Sequence, residues 1–140
     1  AIVSIAVIAV GRKMERSNVA SLTGQLVDDI TYLRAAAVNW RGSNMLYDYT
    51  DPNGTDHTIS IGTLDDVGII DVTDDENTAE AQDNPAGGTY TIAPDGTDAS
   101  LVVITASGLE DEVCNNLIFR FEPKAQDVDC TGGVFSLTVR

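Results

Sequence analysis

Few residues of this chain have the type and spacing to do chemistry. The one histidine, His57, sits in Thr55-Asp56-His57-Thr58 beside a turn. An imidazole becomes a base or a metal ligand in the company of a nucleophile or further ligands. No nucleophile motif, Gly-rich phosphate loop or HExxH run supplies that company. His57 is therefore expected to be a surface residue. Acids gather at Asp71, Asp74, Asp75 and Glu76, between Asp51 and Asp56, and between Asp95 and Asp98. Their oxygens suit calcium, but no run has the spacing of a calcium loop with its closing bidentate carboxylate. No metal, cofactor or catalytic residue is expected, and the chain does not read as an enzyme.

The two cysteines, Cys114 and Cys130, lie near the C-terminus. An even, sparse count suits one disulfide formed in an oxidising compartment, and two buried free thiols are the alternative. A bridge would close a loop of about 16 residues, worth roughly 3 kcal/mol in chain entropy. The spacing does not suit a zinc site, which wants four clustered ligands.

At 140 residues and 43% hydrophobic content, the chain is long and apolar enough for one domain with a core. Its net charge is −14. That argues against a nucleic-acid surface, which needs Lys and Arg to displace counterions from phosphates. The charge is unevenly placed: residues 1–42 carry a net +2 and the remainder a net −16. Such asymmetry reports different surroundings for the two halves, although solvation alone accounts for most of the acids.

Residues 1–10, AIVSIAVIAV, form an apolar run that ends at Gly11-Arg12-Lys13. A membrane-crossing helix takes about 20 residues, and a signal peptide puts its positive charges before its apolar run. The expectation is that the run is the end of a longer apolar segment; a short buried element of an ordinary core is the alternative. Beyond it, Val19, Leu22, Leu26, Ile30, Leu33, Ala37 and Trp40 recur at steps of three or four, which draws an apolar stripe along a helix. Gly42 and Ser43 supply a stop. A helix over 2–41 would be about 60 Å long, far beyond the mean for globular helices. Its first half, about 1–18, opens on a stretch that is apolar all round and suits lipid or a helix bundle. Its second half, about 19–42, is amphipathic and suits a sheet. Gly11 and Gly24 are weak points or packing glycines within it.

Residues 43–140 read as a globular, strand-rich head. Strands are expected over 45–49, 58–61, 67–72, 89–93, 99–105, 117–121 and 134–139. Turns are expected at Asp51-Pro52-Asn53-Gly54 and at Asn84-Pro85-Ala86-Gly87-Gly88, and Pro94-Asp95-Gly96-Thr97-Asp98 is expected to close a hairpin. Ser107 is a plausible N-cap for a short helix whose buried face is Leu109, Val113 and Leu117. The fold class expected is α+β, with a long N-terminal helical spine packed on an antiparallel sheet.

Three stretches together resemble the type IV pilins, most closely the type IVb group. The apolar-to-amphipathic helix of residues 1–41 looks like the pilin spine. Asn84-Pro85-Ala86-Gly87-Gly88 followed by TYTIAPDG looks like the family's NP-x-GG approach to its sheet. Ser107-Gly108-Leu109 followed by Cys114-Asn115-Asn116-Leu117 looks like the short helix bearing the first cysteine of the C-terminal disulfide loop. The likeness covers most of the chain apart from about residues 43–82. It implies the pilin fold, with a Cys114–Cys130 disulfide loop.

It also implies a major structural subunit that is inserted in the inner membrane, cleaved by a prepilin peptidase and polymerised by the pilus assembly machinery. The product would be a helical filament of identical subunits on the bacterial surface, with the spines bundled in its core. Ile2, Val3, Ile5, Val7, Ile8 and Val10 are then the fibre-core contacts. Val19, Leu22, Leu26, Ile30, Leu33 and Trp40 are the helix-to-sheet contacts. The family's glutamate near its processed N-terminus has no counterpart in residues 1–10, so no processing site carries over. The alternatives are a minor pilin or secretion pseudopilin of the same fold, or a membrane-anchored acidic binding module. Adhesion, motility, DNA uptake and conjugation all use such fibres.

Overall fold

The computed structural model describes residues 19–42, 46–70 and 82–140. Helix α1, Val19–Arg41, carries the amphipathic stripe. Leu26, Ile30, Leu33 and Ala37 are fully buried, and Leu22 nearly so. Val19 and Trp40, at the two ends of the stripe, are half-buried and border the same core. Gly42, at φ +53, follows the last turn in the left-handed conformation that closes helices. Gly24 is no packing glycine, because a Cβ there would meet open space.

A two-stranded hairpin follows, β1 (Asp48–Thr50) paired with β2 (Asp56–Thr58). Next comes the short helix α2, Ile61–Asp66. The remaining strands are β3 (Gln82–Asp83), β4 (Thr89–Pro94), β5 (Val102–Ala106), β6 (Asp127–Thr131) and β7 (Val134–Val139). They form one antiparallel sheet in the order β3-β4-β5-β7-β6. Helix α3, Asp111–Phe121, and a 3-10 turn at Glu122–Lys124 connect β5 to β6.

Strand alternation sends one set of side chains to a dry face. Register aligns them in rows: Tyr90, Ala106, Phe135 and Cys130; then Ile92, Ile104, Leu137 and Val128; then Val102 and Val139. Helices α1 and α3 cover this face, and α1 also meets α2. The two long helices run parallel. Asn116 of α3 approaches Thr23 of α1, while Phe121 and Lys124 lie by Thr31 and Arg34. The opposite face is polar and half-exposed, with Thr91 paired to Thr105 through their hydroxyls. The architecture is thus α+β, a helix on an antiparallel sheet, with Cys114 of α3 disulfide-bonded to Cys130 of the edge strand β6.

Several local expectations are corrected. Residues 117–121 are not a strand but the second half of α3, whose buried positions Val113, Cys114, Leu117 and Phe121 keep helical spacing. Packing against α1 and the sheet outweighs the strand preference of Ile118, Phe119 and Phe121. Residues 58–61 and 67–72 are likewise not full strands. Thr58 ends β2, and Ser60 opens α2 through a capping box with Thr63, so that Ile61 and Leu64 are buried from a helix. Residues 67–70 turn away from it, while 71 and 72 lie outside the described residues. Ser107 does not cap α3. Glu110 occupies that position, and the Ser107 hydroxyl accepts the Thr89 amide at 3.0 Å. Strand β6 was not expected, because its outward Asp127 and Asp129 are poor strand formers; on an edge those charges discourage pairing with other chains.

Leu26 is the most directly testable part of the stripe. Leu26→Ala should cost about 2–5 kcal/mol in urea unfolding, because a fully buried cavity lined by helix and sheet collapses poorly. A loss under about 0.5 kcal/mol would mean that α1 is not seated on the sheet.

Candidate functional site

The loop 84–88 shows how much of this fold is set by backbone satisfaction. Asn84 is fully buried. Its Nδ2 donates to the carbonyls of Thr89 (3.1 Å) and Ser107 (2.8 Å). Its Oδ1 accepts from the amides of Ala86 (2.8 Å) and Gly88 (3.2 Å). One side chain therefore fastens the loop to the start of β4 and the end of β5. A Cβ on Gly88 would overlap the Ser107 carbonyl, and Gly108, at φ +75, packs its backbone against Gly88. Asparagine and two glycines at these points are physical requirements of the crossing.

A second buried polar group sits in the stripe itself. Asp29 is fully buried and accepts the Tyr90 hydroxyl, from β4, at 2.5 Å. This short O–H···O contact ties helix to sheet with a fixed register. Composition and motif reading passed over Asp29. The signal was available, because it stands three residues after Leu26 and four before Leu33, and so on the apolar face.

The hairpin β1–β2 holds His57. The imidazole stacks on Tyr49 at 4.9 Å between ring centroids, and Tyr49 lies 6.1 Å from Trp40. His57 Nε2 is 2.9 Å from Asp51 Oδ2, while Asp51 Oδ1 accepts the amides of Asn53 and Thr55. The His57 hydrogen bond, followed by the Thr55 amide, holds the Asp51 carboxyl below its ordinary value. Asp95 and Asp98 are lowered in the same manner by the Thr97 and Ser100 hydroxyls and nearby amides. These acids, weighed above as cation ligands, each organise their own turn. Among the described residues no group of three or more His, Cys, Asp or Glu is placed to hold a metal. The run from Asp71 to Glu76 lies outside the described residues.

Concavities beside α1 are small. One of about 260 Å³ is lined by Leu22, Ala86, Gly108 and Glu110, and one of about 80 Å³ lies against Phe121, Leu137 and Val139. Both fall below the roughly 300 Å³ at which small-molecule sites begin. No family model, curated protein or solved structure matches this chain. The site must accordingly be read from its own geometry.

Of the residues expected to act, Leu22, Leu26, Ile30 and Leu33 converge on the core with Val19 and Trp40 at its border. Cys114 and Cys130 are joined. Ile2, Val3, Ile5, Val7, Ile8 and Val10 lie outside the described residues. Among the described residues no helix is long and apolar enough to cross a membrane. What the described part presents is a head with α1 as one wall, and no built cleft around a reactive group.

Two outcomes follow. Tyr90→Phe should lower unfolding free energy by about 1–3 kcal/mol, the cost of removing a donor from a buried acceptor. A neutral result would show that Asp29 is held by other means. For the hairpin the sign is that of a depressed carboxyl: its contribution is present above the ordinary value of 3.8 and is lost as pH falls through the lower folded value. The protection of amides at residues 48–58 against exchange, corrected for the intrinsic rate, should therefore weaken below about pH 4, and Asp51→Asn should remove that pH dependence.

Proposed function

We propose that this chain is a structural subunit of an extracellular fibre of the type IV pilin class, polymerising through the helix that also holds its head together. One observation carries the reading. Helix α1 is a wall of the core from Leu22 to Ala37, and the apolar run of residues 1–10 stands ahead of it in the sequence, with the polar residues 11–18 between. An element seated on the head along one stripe and preceded by such a run is suited to connect each head rigidly to a bundle of like helices. Two features of the resemblance agree with it. Asn84 and Gly88 make the loop crossing that the NP-x-GG pattern calls for, and the disulfide ties α3 to β6.

In this mechanism the work is association. Spines exclude water by packing on one another, and the strongly acidic heads stay solvated outside. Residues Ile2, Val3, Ile5, Val7, Ile8 and Val10 supply the spine contacts. The inner membrane holds the subunit before assembly, and no cofactor takes part.

Ile5→Lys in the full chain places a charge in that bundle, at a cost of several kcal/mol per subunit. Negative-stain microscopy of sheared cell-surface material should show thin filaments composed mainly of the unaltered chain and none of the variant. Filaments formed equally well by Ile5→Lys, or a wild-type chain that stays monomeric, would overturn the reading.

A further inference from the structure

On a protein with 22 acids and eight Lys or Arg, every base has an abundance of carboxylates to pair with. Yet among the described residues Arg34, Arg120 and Lys124 make no ion pair. All three are exposed. They also share one place. Arg34 of α1 and Lys124, just after α3, rim the concavity floored by Phe121, Leu137 and Val139. Arg120 lies one turn beyond Asn116, on the side of α3 whose Asn116 reaches Thr23 of α1. The seam between the two parallel helices is thus basic at its C-terminal end. Next to Arg120 on α3 stands Phe119, 80% exposed, more than the other large apolar side chains exposed on the described surface.

We infer that this seam, built on Arg34, Phe119, Arg120 and Lys124, is a docking surface for the acidic head of a second copy of the chain. The inference rests on the fibre reading and assigns it a lateral contact between heads. Charge complementarity selects the occupant, since residues 43–140 carry a net −16 while the seam gathers three unpaired cations. A twofold contact across the seam would oppose bases with bases. The surface must therefore meet a different part of the neighbour, and such heterologous contacts propagate into open assemblies. The exposed phenyl ring supplies the apolar anchor that charge pairing lacks, and the cations set orientation and salt sensitivity.

The test uses the full chain and two variants, Arg120→Glu with Lys124→Glu, and Phe119→benzoylphenylalanine for photo-crosslinking. Reversing two charges against an acidic partner should cut pelletable filament by about tenfold or more. The circular dichroism and thermal midpoint of the monomer should stay near wild type. Irradiation should join position 119 to the head of another copy, located by mass spectrometry of the digest. Undiminished filament, or crosslinks confined to one chain, would overturn the seam and leave the fibre reading standing. A wild-type chain that forms no filament would overturn the fibre reading. The seam would then stand only if position 119 still crosslinked copies at low salt and not at about 0.5 M, where screening is strong.

Discussion

The sheet of this protein is apolar on one side only, and the structure depends on covering that side. Rows such as Ile92, Ile104 and Leu137 face inward. The cover is helical. Helix α1 provides Leu26, Ile30 and Leu33, and α3 provides Val113, Leu117 and Phe121 beside them. Apolar burial of this kind contributes about 25 cal/mol per Å² of surface removed from water. The Asp29–Tyr90 bond adds little net energy to it but fixes where along the sheet the helix sits. Once α1 is placed, α3 has a neighbour to lie parallel to, and the disulfide holds α3 to the far edge strand.

What was legible in the sequence follows from the range over which each signal acts. The α1 stripe spans several turns of one period, so Leu22 to Leu33 could be read directly. The hairpin partners β4 and β5 are close in sequence and separated by turn residues, and their pairing was equally plain. Residues 117–121 misled because LIFRF is apolar and β-prone, and only the neighbouring helix and sheet decide that it coils. Residues 58–61 misled for a related reason: the Ser60–Thr63 capping box lacks the acidic third residue that usually announces one. Asp29 escaped notice because a charged residue in an apolar stripe is discounted until its partner, Tyr90, is known from the other end of the fold.

The acids divide into those with local work and those that form a field. Asp51, Asp95 and Asp98 close turns by accepting amides and hydroxyls, which is why their carboxyls ionise more readily than usual. Asp127 and Asp129 guard an edge strand. Others, such as Glu110, Asp111 and Glu112, stand exposed on the surface, and in the proposed fibre they would repel the heads of other copies. Assembly of such subunits needs apolar contact to offset that repulsion, and the run of residues 1–10 is the part of the chain suited to supply it. The docking seam proposed on α1 and α3 would answer the same constraint at the level of the heads.

The central claim is that one helix serves both the fold of the head and the axis of a fibre. Helical reconstruction of the native cell-surface assembly by electron cryomicroscopy tests it most directly. The account predicts a polar filament whose core is a bundle of helices continuous with α1, with the sheets outside it and their Thr91–Thr105 faces turned away from the axis. A filament cored by the sheets, or an assembly in which α1 ends at the head and joins no bundle, would contradict it.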